Sequence, residues 1–250
     1  MPYSHESEDV LPAQRLRTLS ADPPRLPPSV LLALLAGVAL GAAVATGAVA
    51  VEPRVAGALG LSPKDGARNA VMRKADAAPA GAVALFGDSI AHGLAEFEVS
   101  PVAVNFGLGG DTVAGVTGRL RAASADDSAS AVVVHVGTND LARRGADEVA
   151  REWASLLDAV PAGVPVVASA VLPVDSDARG PEGGRNGRAA AFNELARAAC
   201  ERRPGCTFVP SPFSAPLSRR FHVGDGLHLN RAGSARLARA LAEAVEAGTS

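Results

Sequence analysis

From Gly81 onward, short apolar runs alternate with stretches in which apolar residues recur every three or four positions, and this alternation constrains the fold more than any other feature of the chain. The runs cover residues 82–86, 101–105, 131–136, 164–171 and 206–209. Each is too short for a helix, and a continuous apolar run of that length fits a strand buried on both faces. Between them, Val113, Val116 and Leu120 keep helical spacing, as do Val149, Trp153, Leu156, Leu157 and Val160, and later Ala189, Phe192, Leu195 and Ala199. Asn230 is placed to cap a final helix carrying Leu237, Leu241 and Val245. Strands alternating with helices predict an α/β domain, a three-layer sandwich with a five-stranded parallel sheet covered on both sides. Aromatic residues make up only 4% of the chain, so the core must be built mainly from Ala, Val and Leu.

Upstream of this domain the texture differs. Residues 1–29 are polar and proline-rich, which predicts a disordered tail. Val30 to Val51 is 22 residues without a charge, and as a helix it would be about 33 Å long, enough to cross a hydrocarbon core. Its length and the 29-residue leader favour an uncleaved transmembrane helix, with a signal sequence cleaved after Ala48-Val49-Ala50 as the alternative. Both place the C-terminal part outside the cytoplasm, either on a membrane or secreted. Residues 52–80 have little periodicity and predict a linker, so that 81–250 forms the folded domain. A formal net charge of −2 gives no reason to expect a nucleic-acid partner.

The polar residues with chemical potential follow the strands. The first run leads into Gly87-Asp88-Ser89-Ile90, putting a serine hydroxyl at the carboxyl edge of the sheet, where open α/β sheets hold ligands. Taken alone, such a serine serves equally well as a helix N-cap. The second run ends in Asn105-Phe106-Gly107-Leu108-Gly109-Gly110-Asp111-Thr112, whose glycines let a ligand approach the backbone and whose Asp111 can cap the next helix. The third ends in Gly137-Thr138-Asn139-Asp140, where an asparagine amide can donate to an oxyanion or bond its own turn. Asp225-Gly226-Leu227-His228 precedes the last helix. A carboxylate three residues before a histidine can accept from Nδ1–H and leave Nε2 free as a base.

In order and spacing these four segments resemble the blocks of the GDSL/SGNH serine hydrolases, most closely the platelet-activating-factor acetylhydrolase-like and lysophospholipase-type branch. The resemblance covers about residues 81–247, with Gly-Asp-Ser-Ile in place of Gly-Asp-Ser-Leu. It implies a flavodoxin-like sheet and an esterase using Ser89 as nucleophile, His228 as general base and Asp225 to orient it. The oxyanion hole would be the backbone N–H groups of Ser89 and Gly110 with the side-chain amide of Asn139. Asp225, His228 and His222 could also be metal ligands, but serine catalysis accounts for the first two without one, so neither metal nor cofactor is expected. The absence of a G-x-S-x-G elbow and the short spacing of Asp225 and His228 count against an α/β-hydrolase fold.

The remaining histidines have blander expectations: His92 exposed, His135 a satisfied core residue, His222 a loop residue without a partner. Cys200 and Cys206 flank a Glu-Arg-Arg-Pro-Gly turn that can bring them within bridging distance, and an extracytoplasmic location would permit a disulfide. Two long loops, 173–186 and 210–224, border the carboxyl edge. The first is polar, and the second offers Phe213, Leu217, Phe221 and Val223 as a small apolar wall. That inventory predicts a short acyl group on a polar or carbohydrate-like alcohol. The alternatives are a lysophospholipase or O-acyltransferase on the same residues, and a non-catalytic binding module.

Overall fold

All five apolar runs are strands, and their polypeptide neighbours are the helices that cover them. The computed structural model describes residues 63–123, 128–175 and 184–249. In chain order these are α1 (Pro63–Asp76), β1 (Val83–Gly87), α2 (Ser89–His92), β2 (Ala103–Gly107), α3 (Val113–Ala123), β3 (Ala131–His135), α4 (Thr138–Leu141), α5 (Ala146–Leu157), β4 (Val166–Ser169), α6 (Arg185–Glu201), β5 (Cys206–Val209) and α7 (Arg231–Thr249). Short 3₁₀ turns at Glu96–Glu98 and Arg219–Phe221 lie between them. The strands form one parallel sheet in the order β2-β1-β3-β4-β5. Chain direction across the sheet reverses beside β1, so the end of β1 is the switch point where the crevice of an open sheet opens.

Strand periodicity assigns the two faces. Ala84, Phe86, Val132, Val134, Val166 and Ala168 point to the layer made by α3, α5 and α6, where Trp153 meets Phe192 edge-on at 5.6 Å. Val83, Leu85, Val133 and Val167 point the other way, onto Ile90, Leu94 and the α7 residues Leu237, Leu241 and Val245. Small side chains make this close packing possible. A Cβ on Gly107 would sit 2.3 Å from the backbone nitrogen of His92, and one on Gly87 would sit 2.1 Å from the carbonyl oxygen of His135. Both glycines let α2 lie directly on the strand ends. Asn230 caps α7 as expected, its Oδ1 accepting from Gly233 N–H at 3.0 Å.

Two sequence expectations change here. Part of the 52–80 stretch, read as a linker, is the helix α1. Its Val71 packs against the sheet layer, and Lys74 donates to Glu96 (3.0 Å) and to the Asn105 carbonyl (3.1 Å). A largely polar helix with one apolar contact has a weak periodic signal, which hid it. In addition, β2 starts two residues later than its apolar run, because Pro101 and Val102 lie in the preceding turn. Among the described residues no helix is long and apolar enough to cross a membrane. The expected span Val30–Val51 and the tail 1–29 lie outside those residues, as do 176–183 of the first long loop.

Cys200, at the end of α6, and Cys206, at the start of β5, form a disulfide with a Cα–Cα separation of 5.3 Å. So short a closed loop restricts the unfolded chain modestly, by about 2 kcal/mol. Intact-mass measurement without reductant should therefore find no free thiol, and the Cys200→Ala/Cys206→Ala variant should lose about that much in urea unfolding.

Candidate active site

The four polar segments meet at the carboxyl edge of β1, β2 and β3, and the loop before α7 closes over them. β1 ends at Gly87, and Asp88 rather than Ser89 caps α2: its Oδ1 accepts from Ile90 N–H at 2.9 Å. Ser89 is thereby the first residue of the helix, and its own N–H, an orphan of the first turn, has no acceptor among the described residues. His228 Nε2 lies 3.0 Å from Ser89 Oγ, and His228 Nδ1 lies 2.5 Å from Asp225 Oδ2.

The protonation pattern follows from the donors. Burial pushes the Asp225 carboxyl up, but hydrogen bonds from the His228 ring and from the N–H groups of Leu227 and His228 outweigh it and bring the group to about 2. An ionised carboxylate only accepts, so Nδ1 carries the ring hydrogen. Nε2 then presents a lone pair to which the Ser89 hydroxyl donates. The His228 side chain remains 42% exposed, so an approaching substrate can reach this pair.

The loop after β2 is tied to the other two. Leu108 N–H donates to the Gly87 carbonyl at 2.9 Å, and Asn139 Nδ2 donates to the Asp111 carbonyl at 2.8 Å. An amide has two N–H donors, so one is spent fixing Asn139 and the other is left for a ligand. Gly110 is exposed and at φ +74°, the left-handed region a glycine takes without strain, and its N–H has no partner among the described residues. Asp111 does not cap α3. Thr112 does, its Oγ1 accepting from Gly115 N–H at 3.2 Å, while Asp111 pairs with Arg119 at 2.5 Å. Asp140 accepts from Val113 N–H at Oδ2 and from Arg144 at Oδ1, both at 3.1 Å, joining the loop after β3 to the start of α3.

Three residues of the site region were missed or misread in the sequence. Arg119 is buried on the sheet-facing side of α3, where an arginine three residues after Val116 was a visible but unused signal. Asp88 is fully buried with Oδ2 unpartnered among the described residues. Burial pushes its carboxyl up to about 7, Asp111 and Asp140 add to the rise, and the Ile90 bond and His228 oppose it. His222 is not a loop residue without partners: it is buried, and Nδ1 accepts from Gly224 N–H (3.0 Å) and Gly226 N–H (3.2 Å). His92 is exposed as expected. His135 is a core residue only half satisfied, with Nδ1 against Ser169 Oγ at 2.9 Å, Nε2 unpartnered, and burial lowering its pKa to about 4. Among the described residues no cluster of His, Cys, Asp or Glu could hold a metal ion.

Comparison with known proteins gives the same architecture. Residues 75–236 match the GDSL-like Lipase/Acylhydrolase family. Among solved structures, one assigned as an acylhydrolase from Bacteroides fragilis is similar at 19% identity and TM-score 0.61, over 73% of this chain and 97% of that one. A carbohydrate acetylesterase from Sinorhizobium meliloti is similar at 21% identity and TM-score 0.55, over 66% and 98%. The catalytic domain of peptidoglycan O-acetyltransferase A from Streptococcus pneumoniae is similar at 19% identity and TM-score 0.53, over 68% and 94%. At these identities the likeness shows a shared fold. No curated protein matches the chain.

Asp88 yields a pH prediction. Its carboxyl titrates near 7 in the folded protein and near the ordinary 3.8 when unfolded, so between those values the folded state holds a proton that the unfolded state has released. Stability from this group is present below about pH 4 and is lost as pH rises toward 7. Asn at this position keeps the Oδ1 acceptor for Ile90 and removes the ionisation. Urea unfolding of Asp88→Asn against the parent should show a stability difference that grows in the variant's favour from pH 4 to 7 and is flat above. A difference constant across that range would contradict the assignment.

Proposed function

Since this chain belongs to the GDSL-like lipase/acylhydrolase family and is accordingly a serine ester hydrolase, we propose that Ser89, His228 and Asp225 carry its reaction and that its substrate is a short acyl ester of a polar or carbohydrate-like alcohol. The observation that carries the first part is the unbroken relay from Ser89 Oγ through His228 to the Asp225 carboxylate at the edge of the sheet. Ser89 Oγ attacks the ester carbonyl as Nε2 takes its proton, and the tetrahedral oxyanion accepts from Ser89 N–H, Gly110 N–H and the free N–H of Asn139. The imidazolium, stabilised by Asp225, then gives the proton to the departing alcohol oxygen. Water, activated by the same Nε2, releases the acid and restores the serine. The pre-set donors act on charge that exists only in the transition state, which is where binding energy lowers the barrier.

The substrate reading rests on the loops. Phe213 and Leu217, expected as part of an apolar wall, are instead buried, and Phe221 packs against Phe213 with ring centroids 5.0 Å apart and planes tilted by 59°, in the layer above α7. Of the other two, Phe221 is half-buried and only Val223 is well exposed, at 64%. Each methylene of a long acyl chain needs apolar surface to gain about 0.8 kcal/mol on leaving water. One exposed valine offsets little of that, so short acyl groups are favoured. The carbohydrate acetylesterase and the peptidoglycan O-acetyltransferase among the similar structures act on substrates of this kind, in keeping with the proposal. The disulfide suits an oxidising compartment, which supports placing the domain outside the cytoplasm, tethered or released by the N-terminal segment.

Ser89→Ala should abolish turnover of p-nitrophenyl acetate while leaving the unfolding midpoint within about 0.5 kcal/mol of the parent, since one exposed-edge hydroxyl is removed. Asn139→Ala should lower kcat by about 10²–10³ with little change in KM. Residual full activity in Ser89→Ala would overturn the mechanism. Across p-nitrophenyl esters of rising chain length, kcat/KM should peak at or below hexanoyl. A maximum at lauroyl or longer would replace the short-acyl substrate with a lysophospholipid-like one, and transfer to an added sugar outpacing hydrolysis would make the enzyme an acyltransferase.

A further inference from the structure

The loop that carries Asp225 and His228 has no regular secondary structure, yet its residues must be fixed for the relay to exist. The loop closes on itself: His222 bridges Leu229, and Val223 N–H donates to the His228 carbonyl at 3.0 Å. Inside the closure sits the His222 ring, only 6% exposed. Gly224 at φ +101° and Gly226 at φ +74° turn their N–H groups inward, and both meet the single lone pair of Nδ1 at 3.0 and 3.2 Å. A nitrogen that accepts cannot bear a hydrogen, so the ring hydrogen is on Nε2. Nε2 lies 3.4 Å from Asp175 Oδ2, on the segment that follows β4, and makes no hydrogen bond among the described residues. Asp175 is itself bound to the loop through its N–H, which donates to the Gly226 carbonyl at 2.8 Å, and Arg219 lies 3.7 Å from its carboxylate.

We propose that His222 is a positioning residue for the Asp225–His228 pair: its Nδ1 gathers the two glycine N–H groups that flank Asp225, in a loop that the Asp175 N–H holds to the segment after β4. The inference rests on the proposed function above. Asp225 lies between the two gathered residues, so the distance from its carboxylate to His228 Nδ1 depends on them. His222 touches none of the reacting atoms and acts only through that geometry. A misplacement of about 1 Å in such a relay can cost about a hundredfold in rate.

The test contrasts two polar replacements of similar size. In His222→Asn the side-chain oxygen lies where Nδ1 was and has two lone pairs for the two N–H groups, whereas in His222→Gln the amide reaches toward Asp175 and leaves the Nδ1 position empty of an acceptor. Turnover of p-nitrophenyl acetate is measured per active serine, with active sites counted by exhaustive labelling with a fluorophosphonate. Unfolded molecules are then left out of the count. His222→Asn should keep kcat within about threefold of the parent, and His222→Gln should lose roughly 10- to 100-fold with KM changed less than about twofold. Equal kcat in the two variants, or a loss in both that appears as raised KM, would overturn the inference while leaving the ester hydrolase reading intact. A parent protein that neither turns over the ester nor takes the phosphonate at Ser89 would overturn both.

Discussion

The buried guanidinium of Arg119 is the interaction on which the rest of the site depends. It donates to the Gly87 carbonyl at 3.2 Å, to the Phe106 carbonyl at 2.6 Å and to the Asp111 carboxylate through both Nε and Nη2, and it lies 5.6 Å over the Phe86 ring. One planar group thus joins the last residues of β1 and β2 and the loop that presents Gly110. Carbonyls at the ends of neighbouring strands point out of the sheet with no further strand to pair them, and a buried carbonyl left unpaired is costly. Arg119 donates to two of them, sharing the Gly87 carbonyl with Leu108 N–H, and Asp111 neutralises its charge within the same contact. Removing a partner from such a buried pair costs about 3–5 kcal/mol, so the arrangement is close to all or none. The consequence for the proposed chemistry is that the turn carrying Ser89 and the loop carrying Gly110 are held to each other before any substrate arrives.

Three further contacts extend this frame. Asn139 is fixed through the Asp111 carbonyl, Asp140 ties the loop after β3 to α3, and Arg185 Nη2 donates to the Thr138 carbonyl at 2.8 Å from the start of α6. Every donor proposed for the oxyanion is therefore held by a residue that has no part in the reaction. Asp88 shows the opposite economy. Its carboxyl, fully buried behind Ser89, takes up a proton near neutrality instead of holding a charge that would oppose the oxyanion.

Much of this was legible in the sequence, for reasons tied to particular residues. Runs such as Ala131–Val136 can only be strands in a sheet covered on both faces, and the spacing of Val149, Trp153 and Leu156 fixes the helix that covers them. Ser89, Gly110, Asn139 and His228 were singled out because each follows a strand or precedes the last helix, and the structure brings these segments to one edge of the sheet. What was not legible acts across the chain or through backbone groups. Arg119 pairs with strand-end carbonyls 13 and 32 positions away. His222 earns its partners from backbone N–H groups, which leave no trace in residue identity. The polar helix α1 has one apolar contact and so no period to read. Phe213 and Leu217 sat in a loop, and nothing in the local pattern told that they face the α7 layer and not the substrate.

The central claim is that an ester's acyl group passes through Ser89. Rapid quenching of the protein with excess p-nitrophenyl acetate, followed by mass mapping of its peptides, tests this most directly. The expected result is one acetyl group on the peptide containing Ser89, appearing within the first turnover and absent from Ser89→Ala. Acetylation confined to another residue, or steady hydrolysis with no acylated peptide under conditions where deacylation is slowed by low pH, would contradict the account.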